Sequence, residues 1–218
     1  QGTLDKFIGD AIMAFWNAPL DVKDHQREAI LSALSILSSV REINQRFQQQ
    51  FNVAIHIGIG LHCGTCRVGN MGSADLFNYT IIGDNVNLAS RLEELTKFYG
   101  VKLIVSENML HGYFSEFLCQ ELDLVRVKGK MQPVRIYTVF SSNDPAMEVI
   151  GREIELYHQA LALYRQRRFP EAWHQFRFLK NELRSCRLYF IYQKRCSAFI
   201  KEPPKENWDG VFCHTAKA

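Results

Sequence analysis

Apolar and polar residues near the start of the chain are arranged as in a short β-hairpin. Residues from Thr3 to Ile8 predict one strand, and those from Ala11 to Trp16 predict its apolar partner. Gly9 and Asp10 lie between them, at a turn where glycine tolerates a positive φ. The pattern therefore predicts a hairpin with the Asp10 carboxylate at its tip, a suitable position for an oxygen ligand of a hard divalent cation.

The pattern up to residue 140 mixes helices with strands. Apolar residues at helical spacing predict one helix from Asp24 to about Gln50 and another from Asp84 to Tyr99, with Asp84 as its N-cap and Gly100 just after its end. Strands are predicted at residues 51–60, 77–82, 101–105, 116–127 and 134–140, with a turn at 69–73 and a short helix capped by Ser106. This order indicates an α+β fold, with helices packed on a mostly antiparallel sheet, for a domain of residues 1–140.

Residues beyond 140 predict a separate helical region. The stretch from Ser141 to Pro145 is turn-rich, so a linker is predicted at 141–149. Two helices follow, joined at residues 168–172 by what resembles a tetratricopeptide turn, and a third is predicted near 188–199. A single repeat cannot bury its apolar face alone. We therefore interpret 150–218 as a helical tail that packs on the first domain or on a second copy; a peptide-binding array is the alternative.

Composition excludes several classes of function. The chain of 218 residues has 26 Lys and Arg against 23 Asp and Glu, without a basic block interleaved with aromatic residues, so nucleic-acid binding is not expected. No apolar run approaches the roughly 20 residues of a membrane-spanning helix, and no signal peptide is present, so we expect a cytoplasmic domain. The pair Cys63 and Cys66 lacks the second pair that a zinc site needs, so reduced loop cysteines are expected.

The second predicted helix carries a candidate binding pair. Asn87 and Arg91 are four residues apart, so they project side by side from the helix. An amide and a permanently charged guanidinium on one face suit a sugar oxygen and a phosphate. A solvated helix face is the alternative.

Four segments carry a resemblance to a known family: Leu4–Trp16, Ile57–His62, Tyr79–Glu93 and Val127–Lys130. In order and separation they resemble the catalytic domain of class III adenylate/guanylate cyclases, in the version found in bacterial membrane sensors. The resemblance covers Gly2 to about Phe140 and implies the class III cyclase fold. It implies a signalling enzyme that converts ATP to 3′,5′-cyclic AMP and pyrophosphate. The chain opens with Gln1 inside a motif, so we expect a longer protein whose first strand, with a second metal-binding aspartate, precedes it.

The resemblance also implies a role for each of six residues. They are Lys6 for the adenine ring nitrogen, Thr80 for the exocyclic amine, Asp10 as a ligand of two Mg²⁺ or Mn²⁺ ions, Asn87 for the ribose, Arg91 for the α-phosphate in the transition state, and Lys128 for the terminal phosphates. Guanine-specific relatives usually carry glutamate and cysteine in place of Lys6 and Thr80, so this pair implies ATP. Many relatives have an arginine shortly before Thr80, where this chain has Asp75 and Leu76.

The family builds its active sites between two protomers, which implies a homodimer with composite sites. Any link to a membrane would come from upstream segments. Because the first strand is expected upstream, we expect residues 1–218 expressed alone to be inactive and the full-length protein to be the enzyme. The alternatives are a non-catalytic regulatory cyclase-homology module and an interaction domain centred on the tail.

Overall fold

The structure is a computed structural model that describes residues 1–73, 77–127, 132–141 and 147–214. The strands are β1 Thr3–Ile8, β2 Ala11–Phe15, β3 Ile59–Leu61, β4 Arg67–Gly72, β5 Phe77–Ile82, β6 Leu103–Ser106, β7 Leu118–Val127, β8 Val134–Phe140 and β9 Phe212–His214. The helices are α1 His25–Phe51, α2 Asp84–Tyr99, α3 Glu107–Leu110, α4 Met147–Arg165, α5 Phe169–Phe178 and α6 Arg187–Lys201, and a π-helical segment, Leu179–Leu183, continues α5. Within the described ranges, every helix is too short or too polar to traverse a lipid bilayer.

The described strands form three sheets. Two are the hairpins β1–β2 and β4–β5, and the third has five strands in the order β3-β6-β8-β7-β9. The pairs β3–β6 and β7–β9 are parallel, and the other pairs within the described ranges are antiparallel. The predicted α+β architecture is confirmed. Antiparallel pairs outnumber parallel pairs in the described ranges, but the five-stranded sheet itself is mixed, with two pairs of each kind.

Helices cover both faces of the five-stranded sheet. Side chains alternate along a strand, so Leu103 and Val105 of β6 point to one face and Ile104 to the other. The first pair packs in a core with Ile30 of α1. Ile104 instead packs in a core that contains Leu92 of α2 together with the buried side chains of α4, α5 and α6. The sheet is therefore the middle layer between α1 and the remaining large helices.

The tail helices share a core with the sheet. The hydroxyls of Tyr157 on α4 and Tyr192 on α6 both donate to the carbonyl of Leu122 on β7, at 3.2 and 2.8 Å. Next to Leu122, the buried Asp123 carboxylate accepts from Arg195 of α6 at 2.6 Å and from the Tyr99 hydroxyl of α2 at 2.8 Å. We call Asp123, Arg195 and Tyr99 the tail cluster, because it joins the tail to the sheet and α2.

The predicted strand at residues 51–60 is wrong over most of its length. Helix α1 runs through Phe51, and strand pairing begins only at Ile59, opposite Leu103. In between, the side-chain amide of Asn44 donates to the Ile55 carbonyl at 2.8 Å and accepts from the Ile55 amide at 2.7 Å. A side chain of α1 thus takes the backbone partners that a neighbouring strand would supply.

Three local predictions also need correction. The predicted turn at 69–73 falls largely within β4, where Gly69 pairs with Thr80. The N-cap of α2 is Gly83 rather than Asp84, which is the first helical residue, where its charge complements the helix dipole. Ser106 does precede α3, but its side chain makes no capping hydrogen bond and contacts His62 instead.

The hairpin turn and the end of α2 follow the prediction. Gly9 has φ 64° between β1 and β2, and Gly100 has φ 71° at the end of α2. Both lie in the left-handed region, which costs glycine little because it lacks a Cβ. Each glycine therefore ends a regular element at the position predicted from the sequence.

Candidate active site

A β-bulge in β1 changes the direction of two neighbouring charged side chains. Leu4 lies opposite Ala14 and Lys6 opposite Met13, so Asp5 is an extra residue without an opposite partner. In a regular strand, residues 5 and 6 would point to opposite faces. With the bulge, Lys6 Nζ lies 3.3 Å from Oδ1 of Asp5, whose side chain is only 1% exposed.

Thr80 on β5 completes this arrangement. Its hydroxyl donates to Oδ2 of Asp5 at 2.5 Å, and the residue is 7% exposed. Opposite Thr80 stands Gly69, and no described atom lies within 4 Å of the position that a Cβ would take there. We call Asp5, Lys6 and Thr80 the hairpin cluster. It brings together Lys6 and Thr80, which the resemblance assigns to one base, and leaves open space beside them.

Helix α2 presents the second predicted pair. It begins directly after β5, so the strand that carries Thr80 also sets the start of the helix. Leu88 and Leu92, the residues that follow Asn87 and Arg91, are buried in the core. Asn87 is exposed and Arg91 is half-buried, one helical turn further along. The pair therefore stands at the open side of α2, as the helical spacing predicts.

A close approach to β3 holds the middle of α2. A side chain at Gly60 would collide with the carbonyl of Ala89 and the backbone of Glu93. Gly60 therefore allows the backbones of α2 and β3 to pack against each other. This packing sets the position of α2, and so of Asn87 and Arg91, relative to the sheet.

Polar contacts hold the first turn of α2. His62 lies between two side chains, with Nδ1 2.7 Å from Ser106 Oγ and Nε2 3.2 Å from Asn85 Oδ1. Asn85 also donates from Nδ2 to the Thr65 carbonyl at 2.9 Å. With the amide in this orientation, Nε2 carries the proton and donates to Asn85, while Nδ1 accepts from Ser106. These bonds tie the start of α2, two residues before Asn87, to the loop that follows β3.

Asp10 lies at the exposed turn between β1 and β2. Burial raises the pKa of Glu93 on α2, and the nearby charges of Glu94 and Asp10 raise it further, against an opposing effect of Lys97. Asp10 is thus close enough to α2 to influence its charges. In the described ranges, no group of three or more His, Cys, Asp or Glu side chains could hold a metal ion. Mg²⁺ at nucleotide sites is held by one or two carboxylates together with water and substrate phosphates, so Asp10 would not need such a group around it.

Other predicted residues lie outside the described part or take no part in the site. Lys128, Asp75 and Leu76 are outside the described residues. Cys63 and Cys66 are free thiols. Burial raises the pKa of both, which disfavours the reactive thiolate form.

No role for Asp5 was predicted from the sequence. In a strand of regular alternation, a residue next to Lys6 points away from it, so Asp5 would be expected on the other face. Only the bulge, visible in the pairing of β1 with β2, places both charges beside Thr80. The available signal was an acidic residue directly before Lys6 in a strand otherwise rich in apolar side chains.

Comparison with known proteins identifies the family. A family model described as the adenylate and guanylate cyclase catalytic domain matches residues 5–141, well over half of the chain. The terminal-differentiation-specific adenylate cyclase of Dictyostelium discoideum is 29% identical over 205 residues, which cover 92% of this chain and 10% of that protein.

Solved structures give the same result. The adenylyl cyclase CyaB from P. aeruginosa superposes with a TM-score of 0.57 at 31% identity, covering 66% of this chain and 74% of that chain. The guanylyl cyclase Cya2 superposes with a TM-score of 0.56 at 27% identity, covering 66% of this chain and 72% of that chain. The chain spans between 10% and 28% of the length of the first curated relatives that it matches. The matched residues and the superpositions together show that the chain belongs to the class III nucleotide cyclases and carries their catalytic domain.

Proposed function

We propose that the whole protein converts ATP to 3′,5′-cyclic AMP and pyrophosphate. The observation that supports ATP is the contact of Asp5 with both Thr80 and Lys6, which places an ammonium group and a hydroxyl side by side. Adenine has a ring nitrogen that accepts a hydrogen bond next to an amine that donates one. Lys6 can serve the nitrogen and Thr80 the amine. The similar proteins include adenylate and guanylate cyclases, so the choice of base rests on this pair.

The remaining side chains match the reaction. The ribose 3′-hydroxyl loses its proton to water and attacks the α-phosphorus, so that a P–O bond forms while the bond from the α-phosphorus to the pyrophosphate oxygen breaks. Asn87 would hold the ribose so that the hydroxyl faces the phosphorus, and Arg91 would offset the negative charge that grows on the α-phosphate. A guanidinium is suited to this task because it stays charged and offers several donors in one plane. Lys128 would bind the terminal phosphates.

Class III cyclase domains generally use divalent metal ions, and we infer Mg²⁺ or Mn²⁺, with two ions per site, for this protein as well. Such ions offset charge on the phosphates and lower the pKa of the attacking hydroxyl. Asp10 would supply one carboxylate. The roles assigned to Lys6, Thr80, Asn87 and Arg91 do not depend on these ions.

A second copy of the chain would complete the active site. Large apolar side chains of both hairpins are exposed, among them Phe7 at 67%, Ile12 at 66% and Phe77 at 60%. Exposed apolar side chains grouped in this way mark an interaction surface. In a symmetric dimer, Asp10 of one protomer would face Asn87 and Arg91 of the other, which gives two sites per dimer.

The test is a comparison of substrates. The whole protein is incubated with Mn²⁺ and either ATP or GTP, and the product is identified by mass spectrometry. Cyclic AMP formed with the higher kcat/KM is the expected result. Preferential formation of cyclic GMP would show that the Lys6 and Thr80 pair does not select adenine.

We propose a regulatory module that binds nucleotide without turnover as the second candidate function. Such a module would use the base contacts of Lys6 and Thr80 without a metal ion at Asp10. A folded, dimeric whole protein that binds ATP but releases no cyclic nucleotide would identify that module.

A further inference from the structure

The two oxygens of the Asp5 carboxylate have different partners. Oδ2 accepts the hydrogen bond of Thr80 at 2.5 Å. Oδ1 lies 3.3 Å from Lys6 Nζ but, within the described residues, it receives no hydrogen bond of good geometry. The contact with Lys6 is therefore electrostatic, and the ammonium hydrogens of Lys6, whose side chain is 40% exposed, remain available to another acceptor.

The carboxylate also determines where the Thr80 hydrogen points. A carboxylate can only accept hydrogen bonds, so the single hydroxyl hydrogen of Thr80 is directed at Asp5. The lone pairs of the hydroxyl can then only accept from a further group. The side chain of Asp5 is 1% exposed, so little water competes for this bond. The pair thus presents one acceptor, from Thr80, beside one donor, from Lys6.

Purine bases differ in this same polarity. Adenine carries a donor at position 6 and an acceptor at N1, which complement Thr80 and Lys6. Guanine and hypoxanthine carry an acceptor at position 6 and a donor at N1, so both contacts become unfavourable. A polar pocket that must leave its buried groups unpaired rejects the wrong ligand strongly.

We propose that Asp5 is a positioning residue that sets the hydrogen-bond polarity of the base pocket and so selects a 6-amino purine over a 6-oxo purine. This inference rests on the proposed function, because it requires Lys6 and Thr80 to contact the base. The bulge in β1 is required for this role, because a regular strand would direct Asp5 away from Thr80. Without the carboxylate, the Thr80 hydroxyl can rotate and donate to a 6-oxo group.

The test replaces Asp5 with asparagine in the whole protein. Asparagine keeps the shape, but its amide can donate to Thr80, which frees the hydroxyl hydrogen for the base. Rates are measured with ATP and inosine triphosphate, which has the 6-oxo group without the 2-amino group of guanine. We expect the ratio of kcat/KM for ATP to that for inosine triphosphate to fall by about tenfold or more in Asp5→Asn. Asp21→Asn, the same substitution at an exposed residue, is the control and leaves the ratio unchanged.

The ratio separates this role from a structural one. If Asp5 only fastens β1 to β5, Asp5→Asn lowers the rates with both nucleotides in parallel; an unchanged ratio would overturn the proposal. Thr80→Val gives a second test if Asp5→Asn folds poorly. It should also lower the ratio, and adding Asp5→Asn to it should change the ratio no further.

Calorimetric titration with the same two nucleotides provides a readout that needs no turnover. The dissociation constant for ATP should rise relative to that for inosine triphosphate in Asp5→Asn. A wild-type protein that binds ATP more tightly but forms no product contradicts the proposed activity and leaves this test intact. A wild-type protein that binds both nucleotides equally contradicts the selection by Asp5.

Discussion

The hairpin cluster and the tail cluster use the same chemistry in different surroundings. In each, a buried carboxylate accepts a hydrogen bond from a hydroxyl and lies beside a cation: Asp5 with Thr80 and Lys6, and Asp123 with Tyr99 and Arg195. The side chain of Lys6 is 40% exposed, whereas that of Arg195 is 10% exposed. One cluster is open to an incoming ligand and the other is enclosed by the protein.

Aromatic rings enclose the tail cluster. The guanidinium of Arg195 lies 3.7 Å from the ring centre of Phe212 on β9 and 5.1 Å from that of Tyr192. Both contacts are at distances where a ring face attracts a cation. The hairpin cluster instead lies among exposed side chains such as Phe7. Both carboxylates are buried, so the difference lies in their cations: Arg195 is enclosed and Lys6 is exposed. We therefore expect the tail cluster to stabilise the fold, and we propose recognition only for the hairpin cluster.

Removing the cation of the tail cluster should destabilise the protein more than any other change considered. Arg195→Met keeps much of the side-chain volume but leaves the Asp123 carboxylate buried without its cation. Removing one partner of a buried pair costs about 3–5 kcal/mol, so the free energy of unfolding, measured by urea denaturation, should fall by that amount. Arg126→Met is the control, because Arg126 is more exposed and lies 3.5 Å from Asp209, and it should cost less than about 1 kcal/mol. Equal, small losses in both variants would show that enclosure does not set the strength of the pair.

Replacing Arg91 on α2 should lower activity without lowering stability. Arg91→Ala should lower kcat by roughly 10²–10³, about 2.7–4 kcal/mol, which is the scale for removing one transition-state donor. The melting temperature and dimerisation should stay close to wild type. Arg152→Ala removes an exposed arginine of α4 and serves as the control, with kcat unchanged. If Arg91→Ala lowered the melting temperature as much as Arg195→Met, Arg91 would belong to the structural group instead.

The buried position of His214 predicts how stability depends on pH. Burial lowers the pKa of His214 on β9 to about 4, against an opposing effect of Asp123. Since the unfolded chain has a pKa near 6.5, it binds a proton more readily than the folded chain between these values. The contribution of His214 to stability is therefore complete above about pH 6.5 and is lost as the pH drops towards 4, by less than about 3 kcal/mol because the ring is only partly buried. Urea denaturation at several pH values checks this, and His214→Gln should flatten the curve only in part, because burial also lowers the pKa of His158.

Sequence patterns predicted the features that depend on residues close together in the chain. The β1–β2 hairpin follows from Gly9 between two short strands, and α2 follows from its apolar spacing and Gly100. The pair Lys6 and Thr80 was predicted from segments that resemble the family, and the structure brings the two together through Asp5.

Long-range contacts could not be predicted in the same way. Asp123 and Arg195 lie on a strand and a tail helix far apart in the chain, and neither residue interrupts an apolar pattern in a way that marks a partner. Strand β9 has only three residues, too few for a periodic signal. The bulge at Asp5 depends on how β1 meets β2, which no spacing within β1 reveals.

Replacing an exposed side chain of the β1–β2 hairpin tests whether the hairpin contributes to the core. Phe7 is 67% exposed, so Phe7→Ser should change the free energy of unfolding by no more than about 0.5 kcal/mol. If this side chain is covered by a second copy, the same variant should weaken dimerisation by about tenfold, or about 1.4 kcal/mol, in analytical ultracentrifugation. Phe178→Ser is the control, since Phe178 is 49% exposed on the tail helix α5, and it should change neither quantity. A loss of stability in Phe7→Ser close to that of Arg195→Met would place the hairpin within the core of one copy. Exposure would then not distinguish the hairpin cluster from the tail cluster, and the nucleotide-binding residues would have to be sought on α2 alone.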